Sequence, residues 1–369
     1  MKTRDAVLDY QYTAKDTETY KKDLDLVEPI SALELEVECT NGATSNKGNF
    51  ISDIVTKIEV VDGSEVLHNL NMSQLEAMYF YKLGKMPAIF PSEWGAGAQR
   101  HNVLLMFGRY LWDREYAFNP KAFTNPQLKI TFNKAAIRAA GDTGFATGDN
   151  IKLTTVAKVF EDVPAPAQFL MAKQIENFTS TSGEKRLEFP TDYIYRMLLT
   201  RLWKQGSDIR EIVTDMKLTC DVDSFIPFNR KTQQLDAQAL ALFGVGRIKH
   251  DIFCSHQETV RLIHNMEPDA RPFYQLSTVP DIIGIDYQWS SEMKLNMFDH
   301  AGSADTTDRK ITMVEEGHAP HATLPIPFGR PGMPEDWFDP KVYKKLELVL
   351  TQGVEDAVCE IAAEQVRPQ

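Results

Sequence analysis

The chain spells one loop twice. "FNPKAF" at residues 118–123 returns as "FDPKVY" at 338–343. An "FGR" precedes each copy, Phe107-Gly108-Arg109 and Phe328-Gly329-Arg330, and an alternating apolar stretch follows each, 128–132 and 346–351. The surrounding order recurs as well. In the first half an alternating stretch at 54–61 leads to a short amphipathic segment ending at Gly84, then to FGR, FNPK and the stretches 128–132 and 151–160. In the second half an alternating stretch at 212–222 leads to a similar segment ending at Gly244, then to FGR, FDPK, 346–351 and "EDAVCEIAAEQV". One hexapeptide echo arises readily by chance, but an ordered set does not. The chain is a tandem duplication of one unit, and a length of 369 residues is comfortable for two such units.

The unit is β-rich. In "LELEVEC" (33–39), Leu33, Leu35, Val37 and Cys39 share one face, and Glu34, Glu36 and Glu38 the other. In "IVTDMKLTCDVD" (212–223), Ile212, Thr214, Met216, Leu218, Cys220 and Val222 alternate with Val213, Asp215, Lys217, Thr219, Asp221 and Asp223. Period two with one apolar face is the mark of half-buried antiparallel strands. Stretches 54–61, 151–160 and 292–298 predict further strands. Helical signals are few: 71–84 with a cap at Asn71 or Ser73 and a stop at Gly84, 232–244, and 192–206 as a third candidate opening the second half. Two packed antiparallel sheets joined by long connections are the jelly-roll solution. The expected fold class is therefore all-β, two tandem eight-stranded jelly rolls with short helices in the loops. The expected organisation is an N-terminal arm (1–30), a first roll (31–163), a proline-punctuated linker (164–180), and a second roll (181–369) carrying a long loop insertion at about 245–327.

Composition excludes several function classes. The net charge of −12 argues against broad nucleic-acid binding, which needs cations to displace phosphate counterions, so no direct nucleic-acid contact is expected. No window approaches eighteen uninterrupted apolar residues, and the N-terminus lacks a signal-peptide apolar region, so export by its own signal is not expected. The four cysteines (Cys39, Cys220, Cys254, Cys359) form no CxxC and are expected to be buried free thiols.

Three stretches, 53–84, 193–229 and 324–353, give the chain a further likeness. In duplicated pattern and style of strand, over about residues 31–366, it resembles the double jelly-roll major capsid proteins of tailless icosahedral viruses, many of which have an internal membrane. The resemblance implies a structural protein of the virion, synthesised in the host cytoplasm, with three copies forming a pseudo-hexagonal capsomer. Its implied partners are other copies of itself, in the homotrimer and in neighbouring capsomers, together with penton and minor capsid proteins. It also implies an insert forming an outward tower, and an arm reaching beneath towards neighbours or the membrane.

Within that frame the repeated loops are expected to be scaffold or intersubunit contacts: Phe107, Gly108, Arg109, Phe118 and Pro120 in one copy, Phe328, Gly329, Arg330, Phe338 and Pro340 in the other. Glycine supplies unusual backbone angles, proline fixes one, aromatics plug the sandwich end, and the arginines bind loop carbonyls or a neighbour's carboxylates. "HAPH" (His318, His321), with His300 upstream, fits neither HxH nor HxxxH metal spacing and is expected to be loop histidines. The segments 141–149 and 244–251 are glycine-rich but lack a P-loop or dinucleotide setting, and are expected to be loops. The acidic strand faces are expected to be solvated, with pairing to neighbours or cation binding as the alternative. No catalytic residue, cofactor or metal is expected. Two alternatives stay open. One is a two-jelly-roll glycan or glycopeptide hydrolase with its site at the junction of the sandwiches. The other is a carbohydrate-binding receptor or spike protein presenting Trp289 and Trp337.

Overall fold

The computed structural model describes residues 2–139, 144–254, 257–263, 273–276, 282–288, 292–298 and 309–369. The N-terminal half runs β1 (Thr3–Ala14), β2 (Thr17–Asp23), β3 (Ile30–Thr40), a helical turn α1 (Ile51–Ile54), β4 (Val55–Asp62), β5 (Glu65–Leu70), α2 (Met72–Leu83), β6 (Ala88–Phe90), β7 (Ala98–Met106), β8 (Pro126–Asn133), α3 (Lys134–Ala139) and β9 (Ile151–Phe160). The C-terminal half opens with β10 (Gln168–Thr179), β11 (Gly183–Phe189), β12 (Ile194–Trp203), a helical turn α4 (Ile209–Ile212), β13 (Val213–Cys220), β14 (Phe225–Lys231) and α5 (Thr232–Phe243). An insert follows with β15 (Gly246–Cys254), β16 (Gln257–Arg261), β17 (Phe273–Leu276), β18 (Ile282–Gln288), β19 (Glu292–Phe298) and β20 (Arg309–Gly317). The half closes with β21 (Thr323–Pro327), β22 (Leu346–Gln352) and β23 (Val358–Pro368).

Each half is a jelly roll. In the first, β1-β9-β3-β7, extended by β6, packs on β2-β8-β4-β5; in the second, β10-β23-β12-β21 packs on β11-β22-β13-β14. Taken in chain order, the two halves thread their strands through the sheets identically. A parallel pairing at Asn69 and Lys173 joins β5 to β10, so one sheet runs continuously from the first roll into the second. The insert forms two small sheets, β15-β20-β17 and β16-β19-β18.

The duplication extends to single residues. Pairing of β1 with β9 slips between Val7 and Asp9, and pairing of β10 with β23 slips between Gln174 and Glu176. The β3–β9 ladder slips between Ile30 and Ala32, matching Tyr195 and Met197 in β12–β23. The β4–β8 ladder slips between Val55 and Lys57, matching Val213 and Asp215 in β13–β22. At this last bulge the Thr56 hydroxyl donates to Thr131 O (3.3 Å) and the Thr214 hydroxyl to Thr351 O (3.4 Å). A bulge inserts one residue and re-aims the strand, so a shared set ties the halves together more tightly than side-chain identity does. The helices agree too. In α2 and α5 an N-terminal glutamine reaches back to a backbone N–H, Gln74 to Asn71 (3.1 Å) and Gln234 to Lys231 (3.3 Å). Both end on a left-handed φ, at Gly84 (66°) and Gly244 (70°).

Each roll has its own core. Leu33, Leu35, Val37 and Cys39 of β3 face Ile58, Val60, Leu128 and Ile130 across the first sandwich, as their alternation predicts. In the second roll Met216, Leu218 and Cys220 meet Leu198, Leu202, Cys359 and Ile361. The strand stops at Cys220. Asp221, Val222 and Asp223 all turn left-handed (φ 45°, 55°, 65°), so Val222 is exposed rather than continuing the apolar face.

Several expectations are corrected. Each unit begins before its expected start, by two strands in the first roll (β1 and β2) and by one in the second (β10). Residues 3–23 are not an arm. They form β1, paired along β9 from Thr3–Phe160 to Ala14–Ile151, and β2, paired with β8. Most of the expected linker is likewise β10, the matching first strand of the second roll. Two slips break the alternation of β1, and its outer side chains are wet, which hides it from a periodicity argument. The expected helix at 192–206 is β12. Its residues are buried on both faces, and a continuous apolar run does not distinguish strand from helix. The expected loop at 244–251 enters β15, and most of the described part of the insert is strand, with residues 262–263 and 318–322 outside strands.

Candidate functional site

The repeated loops form one corner at the same place in each roll. Ile30 and Phe118 exchange backbone hydrogen bonds (2.7 and 2.9 Å), as do Tyr195 and Phe338 (2.8 and 3.1 Å). Phe107 N donates to Ser31 O and Phe328 N to Arg196 O, both at 3.0 Å. The arginines act within the loops. Arg109 donates from its backbone N and Nε to Asp113 Oδ2 (3.1 and 2.7 Å) and from a terminal nitrogen to Oδ1 (3.0 Å). Arg330 repeats this fork on Asp336, with its backbone N at 3.3 Å, its terminal nitrogen at 3.1 Å and Nε on Oδ2. Bidentate geometry of this kind suits the planar guanidinium, and the bond to the aspartate raises the pKa of each arginine. The glycines make room for the carboxylate. A Cβ on Gly108 would stand 2.6 Å from Asp113 Cβ, and one on Gly329 2.4 Å from Asp336 Cβ, with Gly329 also at φ +65°.

Pro120 and Pro340 each start a single 3-10 turn, whose cap is the Asn119 or Asp339 side chain accepting from Lys121 N (3.3 Å) or Lys341 N (3.1 Å). The aromatics stack in the same sequence, Phe107–Phe118–Phe123 at 4.9 and 5.0 Å and Phe328–Phe338–Tyr343 at 5.3 and 6.2 Å. All ten residues singled out in the sequence thus lie at two matched corners.

The corners differ in what covers them. Arg109 also donates to Gly332 O (3.3 Å) in the loop of the second corner, and Trp337 tilts against Tyr116 at 5.7 Å. Its side chain is 11% exposed, whereas that of Arg330 is 66% exposed.

Helix α2 shows the same asymmetry. It lies between the rolls, with nine of its residues buried, from Met72 to Tyr81. Its counterpart α5 buries only Thr232, Leu235, Asp236 and Ala239. Strand β23 explains the packing. Cys359, Ile361 and Ala363 enter the second core, while Glu360 and Glu364 alternate onto the face that meets the first roll. There Lys82 Nζ donates to Met106 O (2.9 Å) and Gly108 O (2.8 Å) and forms an ion pair with Glu364 Oε1 at 2.5 Å. Arg196 takes the other Glu364 oxygen. Burial opposes ionisation of Glu364, and the two cations overcome it, holding its pKa below the usual range. Glu360 accepts from Asn71 (2.8 Å) and Arg201 (3.1 Å), and the Tyr81 hydroxyl donates to Thr323 O (2.6 Å). Sequence reasoning missed this junction, because its members are scattered single charges that share no spacing.

The histidines are not free loop residues. His321 Nε2 sits 2.5 Å from Glu76 Oε2, and His101 Nδ1 2.6 Å from Glu76 Oε1, all three buried. An ionised carboxylate only accepts, so both ring nitrogens carry the proton. Burial alone would raise the Glu76 carboxyl, but the two imidazoles outweigh it and bring it to about 2. His318 lies 2.8 Å from Asp236. Among the described residues no group of three or more His, Cys, Asp or Glu side chains is placed to hold a metal. The acidic face of β3 is partnered within its own sheet: Glu34 pairs with Lys158 (2.6 Å) and accepts from Asn102 (2.7 Å), and Glu38 pairs with Arg100 (2.6 Å). Asp221 instead accepts from Lys344 N and Lys345 N, both at 2.9 Å. Cys39, Cys220 and Cys359 are buried free thiols. Trp337 is buried at the junction rather than displayed, and Trp289 and His300 lie outside the described residues.

No family model and no curated protein matches the sequence. Solved structures do. The chain is similar to the major capsid protein P2 from bacteriophage PM2 (TM-score 0.56, 12% identity, covering 100% of this chain and 98% of that one). It is similar to the STIV MCP (0.60, 12%, 99% and 96%), from Sulfolobus Turreted Icosahedral Virus, and to the PBCV-1 virus capsid (0.60, 8%, 99% and 93%). At such identities the likeness shows a shared fold, spanning both rolls and nearly the whole of each chain.

Proposed function

We propose that this chain is a major capsid protein, a structural component of an icosahedral virion that acts by assembly rather than catalysis. The observation carrying this reading is the likeness of the entire two-roll body, end to end, to capsid proteins whose sequences have diverged almost completely. A fold alone hosts many functions, so the reading rests on the likeness running through both rolls rather than through one of them. Three copies of a two-unit chain present six similar units, so a trimer tiles a hexagonal lattice with only threefold true symmetry. The corners and the junction supply the rigidity such a block needs. Partners in this reading are further copies of the chain, with penton and minor capsid proteins at the shell's special positions.

The hydrolase alternative finds little support in the acids at the junction. Glu76, Glu360 and Glu364 are each committed to basic or amide partners inside the packed seam. The test is assembly. Purified full-length protein is expected to have the solution mass of a trimer and to appear as hexagonal blocks, sheets or shells in electron micrographs. A protein that stays monomeric at all concentrations and never forms ordered assemblies would overturn the proposal.

A further inference from the structure

One end of the first sandwich buries a lysine beside a carboxamide and a carboxylate. Lys134 follows β8 directly, and its side chain is 0% exposed. Its Nζ lies 2.9 Å from Asp16 Oδ1 and donates to Gly148 O (2.9 Å) and to Asn150 Oδ1. These segments meet because two connections share this end. Asp16 lies in the turn that carries β1 into β2, while Lys134 and Asn150 begin and end the connection that carries β8 into β9. Strand register sets the site against the core: Ile151 pairs with both Ala14 and Cys39, and all three are buried. An amine, an amide and a base held in contact where water is scarce are the parts of an amide exchange.

We propose that Lys134 and Asn150 become covalently joined by a side-chain amide between Nζ and Cγ, with Asp16 as the general base. The inference needs only the first roll and stands independently of the capsid reading.

The exchange balances without an oxidant or a co-reactant. The Lys134 ammonium gives one proton to Asp16 Oδ1, which frees the lone pair of Nζ. That nitrogen touches Asn150 Oδ1, one carbonyl bond of about 1.2 Å from Cγ. The lone pair adds to Cγ and the π electrons move to Oδ1, towards which the Cys39 thiol donates at 3.5 Å. Burial pushes that thiol up to about 12, so it stays protonated and does not compete as a nucleophile. The carbonyl re-forms as the Cγ–Nδ2 bond breaks with its electron pair, the second Nζ proton passes to Nδ2, and ammonia leaves. In water the ammonia takes the proton held by Asp16, which restores the carboxylate. Fixed contact between the reactants makes the step unimolecular, and an unactivated amide needs that advantage.

The bond would cross-link the two sheets of the first sandwich, because β8 and β9 lie in opposite sheets, and it would close the connection 134–150. The second roll has no such need. There β22 returns to β23 through only 353–357, and Gly353 stands where Lys134 does. A Cβ at Gly353 would meet Glu211 O at 2.5 Å, so no lysine fits. The longer connection costs more to order, so a covalent closure has more to stabilise in the first roll.

The test reads mass on the full chain. Wild-type protein, purified folded and then denatured, is expected to be lighter than its sequence by one ammonia. Its digest should contain one branched peptide that includes both Lys134 and Asn150 and survives reduction. Asn150→Ala and Asp16→Asn should keep the full mass, with the two peptides separate. Circular dichroism checks that both variants fold, and the wild-type spectrum decides the matter if either does not. A wild-type chain of full mass overturns the proposal. Loss of ammonia without the branched peptide, the signature of Asn150 closing on its own backbone, overturns it as well. A folded Asp16→Asn chain that still joins overturns the assignment of the base.

Discussion

Replacing Lys82 with methionine tests the internal junction most sharply. The stem length is kept, while the ammonium that serves Met106 O, Gly108 O and Glu364 is removed. The Lys82 side chain is 2% exposed and that of Glu364 0%, so water does not readily replace the lost donor. Two carbonyls and a carboxylate oxygen lose a partner, each worth about 1–3 kcal/mol when buried. Arg196 still neutralises Glu364, which keeps the total near the roughly 3–5 kcal/mol typical of breaking a buried ion pair. At about 2–4 °C per kcal/mol, the melting temperature should fall by roughly 6–20 °C. Scanning calorimetry on dilute, unassembled protein measures this. Leu242→Lys, the matched change at the equivalent exposed position, should cost no more than about 0.5 kcal/mol. If Lys82→Met melts within about 2 °C of wild type, or both variants lose equal stability, the reading of the junction is wrong.

Acid should weaken the same seam. The Glu76 carboxyl lies at about 2 in the folded chain against 4.5 in a free side chain. Below that upper value the unfolded chain takes up a proton that the folded chain refuses. Stability worth roughly 3 kcal/mol, complete above pH 4.5, is then lost as pH falls towards 2. Glu364 shifts in the same direction, and urea midpoints against pH should show a slope that Glu76→Gln reduces. Gly329→Ala should destabilise by about 1–3 kcal/mol, because its Cβ meets Asp336 at a left-handed φ, whereas Gly332→Ala, with open space around it, should be nearly neutral. Equal denaturation midpoints for the two would refute the corner's steric argument. Burial pushes the thiols of Cys39 and Cys359 up to about 12 and that of Cys220 to about 11, so none should be alkylated in native protein at neutral pH. Mass spectrometry of maleimide-treated protein, before and after denaturation, decides this, and native labelling at any of the three counts against the packing.

What sequence alone determined was whatever is written locally or repeated. The alternation of Leu33 to Cys39 specified a half-buried strand because side chains in a strand point to opposite faces. Gly84 and Gly244 marked helix ends because each adopts a positive φ that glycine tolerates best. The doubled FGR and F[ND]PK loops announced two copies of one sandwich, and the matched Arg109–Asp113 and Arg330–Asp336 forks show that they were the right residues to compare.

Tertiary structure decided what depends on the neighbour across a face. Strand β12 was mistaken for a helix because the first roll covers its outer side, erasing the alternation that a wet face would have kept. Strand β1 was mistaken for an arm because its slipped register scrambles its pattern, although its pairing with β9 is complete. Lys82, Glu364 and Arg196 lie 114 and 168 residues apart along the chain and meet only because two rolls pack. Their partnership is a property of the packing, and no local pattern encodes it. The same holds for Arg109 and Arg330, alike in sequence and in their own loops. Only the arrangement of the rolls buries one and leaves the other open.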